Sequence, residues 1–233
     1  MKVFFSFAHP DDETFTVGGL INKLHQKDLA NIILYCATPG DAGKCGEPPV
    51  CSKEQLGEVR KKELEKASEI LGVDKLITST FQDGQLTNFK DELTTELEQI
   101  LIEHKPEIVV TFPAHGISGH KDHIAIHEVT TEIVNRNNFD FIKKLYYATF
   151  PEEVKGPRAY LEKMFEIDVV VELSTENSET VKSALLCHRT QNQSVNRVFK
   201  GLFNQVPFKK FNNKEYLVLA LDRDSTIDIR NLY

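Results

Sequence analysis

The chain has 233 residues, enough for one large domain or two small ones with an ample core. Its formal net charge of -7 argues against a nucleic-acid or anionic-membrane surface. No apolar run approaches the roughly 20 residues that span a bilayer, and the first residues enter a strand pattern without a secretory leader; the expectation is a soluble cytoplasmic protein with no transmembrane segment.

Lys2 to Ala8 reads as a buried strand, since Val3, Phe4, Phe5 and Phe7 make a near-continuous apolar run. It stops at His9-Pro10-Asp11-Asp12-Glu13, where one imidazole and three carboxylates crowd together. Such a cluster is costly unless its charges are paired, solvated or bound to a cation. A capping Asp at the helix that follows accounts for one carboxylate, not for His9 and the second Asp. That helix runs from about Glu13 to Gln26 and contains Gly18-Gly19, which fits close packing against a strand. No G-x-G-x-x-G follows the first strand, so a dinucleotide fingerprint is excluded.

Asn31 to Thr38 is a second strand. Pro39 to Ser52 is a long Gly- and Pro-rich connection, either a cover for a site or a plain surface loop. Lys53 to Leu71 carries a helical apolar stripe and stops at Gly72. Lys75 to Thr80 is a third strand; a helix marked by Leu93, Leu97, Ile100 and Leu101 ends before Pro106; Glu107 to Phe112 is a fourth strand. A helix from about His120 to Val134 and a strand from Lys144 to Phe150 follow. This alternation predicts a Rossmann-like α/β fold: a mainly parallel sheet with helices on both faces. Beyond Pro151 strands at Val169 to Leu173 and Tyr216 to Leu221 flank a helix from Glu176 to Cys187. They read as a C-terminal β extension of the same domain, so that residues 1–233 form one unit.

Of the four cysteines, Cys36 and Cys187 fit buried positions, and Cys45 and Cys51 read as two independent loop thiols. The loop after the fourth strand holds His115, His120 and His123, with His127 one turn on. Like His9-Pro10-Asp11-Asp12, it leaves the carboxyl end of a strand, the edge where open parallel sheets bind ligands. If the first and fourth strands are neighbours, the clusters meet. Spacing alone allows His120 with His123, His123 with His127, or a single histidine to serve as ligand. Imidazole and carboxylate donors without thiolates suit a catalytic Zn²⁺, with Fe²⁺ the close rival. Such a zinc would bring its water's pKa to about 7.

His9-Pro10-Asp11-Asp12-Glu13, Gly18-Gly19, His115-Gly116 and Gly119-His120-Lys121-Asp122-His123 together resemble the LmbE-like / PIG-L family, zinc-dependent deacetylases of N-acetylglucosamine-containing substrates. The resemblance covers most of the chain and extends to Ala184 through Gln191. It implies His9, Asp12 and His123 as metal ligands and Asp11 as the base. It further implies His120 as the group that protonates or polarises, Asp122 as the carboxylate orienting His120, and Arg60 as a contact to substrate or acetate. The expected partner is a small N-acetyl amino sugar conjugate; the sequence has no readable code for its aglycone or for homo-oligomerisation. Two departures stand out. Lys121 replaces a common proline, and Ser118 occupies the place of a tyrosine found in some members, so a mobile catalytic tyrosine is not supported. The competing readings are a metal amidase acting on thiol conjugates and a non-catalytic sugar- or nucleotide-binding module.

Overall fold

A computed structural model describes residues 1–150, 167–200, 202 and 208–233. Its centre is one seven-stranded sheet. Five strands are parallel: β1 (Lys2–Phe7), β2 (Asn31–Cys36), β3 (Lys75–Thr78), β4 (Ile108–Thr111) and β5 (Lys144–Thr149). With β6 (Val169–Glu172) and β7 (Lys214–Asp222), the spatial order is β3-β2-β1-β4-β5-β7-β6. β7 runs antiparallel to both β5 and β6, so the C-terminal extension closes one side of the same sheet. β1 and β4 are neighbours, with Val3, Phe4 and Phe5 opposite Ile108, Val109 and Val110. Chain order reverses between them, and the two histidine-bearing loops leave this switch point together.

Helices α1 (Asp12–Lys27), α2 (Leu56–Leu71) and α6 (Thr175–Cys187) pack on one another in one layer; α3 (Lys90–His104) and α5 (Lys121–Val134) pair in the other. A one-turn helix, α4 (Gly116–Gly119), and the short α7 (Asn192–Val198) complete the helices used below. The boundaries differ from the sequence reading by a few residues. α2 starts at Leu56 because residues 53–55 are exposed while Leu56 is buried. α7 escaped the reading because Asn-Gln-Ser-Val-Asn-Arg-Val has too few apolar residues to set a period. Among the described residues no helix is long and apolar enough to cross a membrane.

Of the two α1 glycines, Gly19 allows a close approach, from the C-terminal extension. A Cβ on Gly19 would stand 2.5 Å from Leu173 Cδ1. The carboxylate of buried Glu215 in β7 accepts hydrogen bonds from the Gly19 and Leu20 N–H groups, each at 2.7 Å. Lys210 Nζ supplies the countercharge to Glu215 at 2.5 Å. Val17, just before the glycines, has non-helical dihedrals, so α1 is kinked where this ion pair grips its backbone.

Candidate metal centre and active site

Asp11 occupies the N-cap of α1, yet its carboxylate makes no capping hydrogen bond. Capping therefore does not explain it. Its backbone sits at φ +114, a costly region for a non-glycine residue, and the surroundings fix it there. The Asp11 N–H donates to Glu13 Oε2 at 3.2 Å, and its carbonyl accepts from the Phe15 N–H at 2.9 Å. Arg60, reaching over from α2, donates from Nη2 to the Pro10 carbonyl at 2.5 Å and stands 3.5 Å from Asp11 Oδ1. Its Nη1 donates to the Gly40 carbonyl at 2.7 Å. A Cβ at residue 40 would lie 2.3 Å from that nitrogen, so glycine is required for the guanidinium to pass. Burial pushes the Asp11 carboxyl up to about 6, with the Arg60 charge opposing and Asp12 adding to the rise.

His9, Asp12 and His123 converge. His9 Nδ1 and His123 Nε2 are 3.1 Å apart; Asp12 presents Oδ2 to His9 Nδ1 at 3.5 Å and Oδ1 to His123 Nε2 at 3.3 Å. The other nitrogen of each ring fixes its tautomer. His123 Nδ1 lies 2.9 Å from the Gly116 carbonyl, which only accepts, so the hydrogen is on Nδ1. His9 Nε2 lies 3.0 Å from Asp83 Oδ1 and 3.1 Å from Asp122 Oδ2, so its hydrogen is on Nε2. The two facing nitrogens and the Asp12 carboxylate, whose Oδ2 also accepts from the His9 backbone N–H at 2.8 Å, turn acceptor positions toward one point. Burial opposes a charge on His9, yet the hydrogen bonds of Asp12, Asp122 and Asp83 hold its pKa well above the usual value, so positive charge is favoured there. Acceptors so placed repel one another unless a proton or a metal ion lies among them. The edge of a zinc tetrahedron with bonds of 2.0–2.1 Å is about 3.3 Å, which these separations match. The donor set therefore fits a divalent metal. Phe112 stacks on the His123 ring, with centroids 4.1 Å apart and planes 6° apart, and holds it in place.

His120 is the N-cap of α5, and its Nδ1 accepts from the Asp122 N–H at 3.2 Å. The neutral ring then carries its hydrogen on Nε2. Burial, with the charges of His9 and His123, holds this imidazole below its usual range. The His120 ring stands 4.7 Å from that of His9 and 5.0 Å from that of His123.

The carboxylate of Asp122 is placed otherwise than the resemblance implies. It faces His9, not the His120 ring. It is 0% exposed and accepts from the Gly84 N–H at 2.6 Å and the Leu86 N–H at 3.0 Å. Only its backbone touches the His120 side chain. Asp122 thus ties the loop after β3 to α5 and orients His9.

Asp83 went unrecognised in the sequence. Its Oδ2 accepts from the Ala42 N–H at 2.8 Å; burial opposes ionisation, yet the hydrogen bond and charge of His9 hold its carboxyl down to about 2. The available signal was Asp83-Gly84 as a turn beyond β3, on the same sheet edge as the other loops. His127 has no place among the ligands. It is buried, its Nδ1 donating at 2.7 Å to the Phe112 carbonyl, so it braces the ring that stacks on His123. His188 is 1% exposed and sits 3.3 Å from Glu13 Oε1, behind the site.

His9, Asp11, Asp12, Arg60, Asp83, His120 and His123 line a cavity of about 380 Å³. One wall is the 39–52 connection, through Ala42 and Gly43; another is α7 with Gln191. Glu47 and Asn192 exchange hydrogen bonds at 3.0 and 2.9 Å, joining those walls, so the connection belongs to the site. Cys45 and Cys51 in it are free thiols, as the sequence reading expects.

The sequence profile of the PIG-L family, described as GlcNAc-PI de-N-acetylase, matches residues 4–134. The chain is 32% identical over 228 residues to a probable N-acetyl-alpha-D-glucosaminyl L-malate deacetylase 2 of Bacillus subtilis, covering 95% of this chain and 94% of that protein. Its fold is similar to that of the N,N'-diacetylchitobiose deacetylase of Pyrococcus horikoshii, with a TM-score of 0.68 at 20% identity, covering 94% of this chain and 84% of that one. A 4-carboxy-2-hydroxymuconate hydratase from Pseudomonas putida shares the fold as well, with a TM-score of 0.66 at 16% identity, covering 96% and 98% of the two chains. The fold alone therefore does not name a reaction. The profile match and the similarity along nearly the whole length of the Bacillus protein do name a lineage: this chain belongs to the PIG-L family.

Proposed function

We propose that the protein is a metal-dependent hydrolase that removes the acetyl group from a small N-acetylglucosamine conjugate, releasing acetate and a free amino sugar. The observation that carries this reading is the convergence of His9 Nδ1 and His123 Nε2, 3.1 Å apart, beside the carboxylate of Asp12. In this reading those three residues hold the ion, and a thiolate-free set of imidazoles and a carboxylate suits Zn²⁺. When bound, such an ion supplies a Lewis acid that acidifies a water and polarises the acetamide carbonyl.

The remaining steps belong to the chain's own side chains. Asp11, with a carboxyl raised to about 6, takes the proton of the water whose oxygen adds to the acetamide carbon. His120, in its protonated imidazolium form, stabilises the developing oxyanion and passes its Nε2 proton to the nitrogen as the carbon–nitrogen bond breaks, which returns the ring to neutral. The proton gained by Asp11 replaces the one lost by His120. Arg60 lines the cavity and keeps Asp11 in register; it is the candidate contact for sugar or acetate. The Bacillus and Pyrococcus proteins are named for substrates that share the N-acetylglucosamine unit and differ in what it is joined to, which supports assigning that unit to this cavity.

Acetate release from a panel of N-acetylglucosaminides by the metal-reconstituted protein tests the proposal. Asp11→Asn should keep its metal and lose about 10²- to 10⁴-fold in kcat. Absence of acetate from every member of the panel would overturn the assignment.

A further inference from the structure

The α7 wall of the cavity has its own chemistry. Gln191, Ser194, Arg197 and Val198 all line the cavity. Gln191 precedes α7 and the others lie in it, so they recur at the three- and four-residue spacing of one helix face. Val195, between them, turns into the core. This wall is fixed in place. Buried Glu63 accepts from the Thr190 N–H at 2.9 Å and its hydroxyl at 2.5 Å, and Phe199 packs edge-on against Phe15, 5.1 Å between centroids.

The charges in the cavity are unevenly distributed. Asp11, Asp12 and Asp83 gather at the metal end and each faces Arg60 or a histidine. Arg60 is engaged by the Pro10 and Gly40 carbonyls and by Asp11. Arg197 is the other cation of the lining. Among the described residues it makes no hydrogen bond or ion pair, and its side chain is exposed. At the metal end Arg60 is already faced by Asp11, whereas among the described lining residues Arg197 on the α7 wall has no carboxylate against it. A guanidinium matches a carboxylate with two parallel hydrogen bonds, and the Ser194 hydroxyl on the same helix face adds a neutral donor, while the Gln191 amide is spent on the Lys44 carbonyl and the Thr190 hydroxyl and closes the wall.

We infer that Ser194 and Arg197 form an aglycone subsite selective for an anionic group, a carboxylate or phosphate carried by whatever is joined to the amino sugar. The inference rests on the deacetylase reading above for the orientation of the sugar, with its acetamide at His9, Asp12 and His123. Selection at this wall is separate from the chemistry at the other end, so its loss shows as a change in preference between substrates.

The test compares metal-loaded wild-type protein with Arg197→Ala and Arg197→Lys on three conjugates: N-acetylglucosaminyl L-malate, N-acetylglucosamine 1-phosphate and neutral N,N'-diacetylchitobiose. Binding of the corresponding free-amine products is measured by calorimetry, since they carry the same aglycones and undergo no turnover. Arg197→Ala should weaken the malate product about tenfold to a hundredfold relative to the chitobiose product. The loss in turnover should appear in KM, with Arg197→Lys recovering part of it. A matching loss for the phosphate conjugate identifies a general anion subsite; a loss for malate alone identifies a carboxylate subsite. An unchanged ratio of acidic to neutral affinities, within about twofold, overturns the inference. If the wild type binds these products but releases no acetate from any conjugate, the deacetylase reading fails while the ratio still decides the subsite.

Discussion

Arg60 Nη2 lies 3.5 Å from Asp11 Oδ1, and the same nitrogen holds the carbonyl of the preceding residue. One guanidinium therefore governs both the position and the charge of the proposed base. Burial raises the Asp11 carboxyl and the Arg60 charge restrains that rise. A base must be ionised to act, so kcat/KM falls as pH drops through its pKa. Arg60→Gln removes the restraint; the acid limb of the pH profile should move to higher pH, and kcat should fall as well because the strained Asp11 backbone loses a clamp. An acid limb that stays in place or moves lower would show that Arg60 does not act through Asp11.

Asp122 predicts a second effect. Its carboxylate serves two backbone N–H groups and His9 Nε2 at 0% exposure. Asp122→Ala leaves those donors buried without an acceptor, at about 1–3 kcal/mol for each unsatisfied group. It also frees the His9 ring, and removing such a support weakens metal binding by about 10- to 100-fold. Metal titration and chemical denaturation of the variant should show both losses. If Asp122 instead served His120, turnover would fall with metal affinity intact.

The buried pair behind the site makes stability depend on pH. Burial alone would lower His188, but its hydrogen bond to Glu13 and the Glu13 charge raise it above the usual histidine value of about 6.5. A raised pKa in the folded state gives a contribution that is full below 6.5 and is lost as pH rises through the folded value. The stability difference between wild type and His188→Gln should be largest at slightly acid pH and shrink toward pH 9. Urea denaturation across that range measures it; a difference that grows with pH would contradict the ion pair.

The alternation of strands and helices was readable because each buried strand is an apolar run and each helix carries a stripe, and the meeting of the two motif loops followed once β1 and β4 were adjacent. The proposed ligands His9, Asp12 and His123 come from the resemblance, whereas the groups that orient their rings, Asp83 and Asp122 for His9 and the Gly116 carbonyl for His123, show only in the fold. Asp83 sits in a turn without periodicity. Asp122 follows His120 closely in sequence, but helical geometry turns its carboxylate toward His9. The role of Gly19 was hidden because Glu215, its partner, is 196 residues away. α7 was missed because polar residues dominate it, and those are the residues that face the cavity.

The central claim is that two loops hold one divalent ion through His9 Nδ1, Asp12 and His123 Nε2. Anomalous diffraction at the zinc edge from zinc-loaded crystals tests it most directly. The account predicts one full-occupancy peak bonded to those three residues, absent in His123→Ala. Donor atoms of His9, Asp83 and Asp122 also lie within 4.8 Å of one another; a peak there, on the far side of the His9 ring, or no peak near His9, would contradict the account.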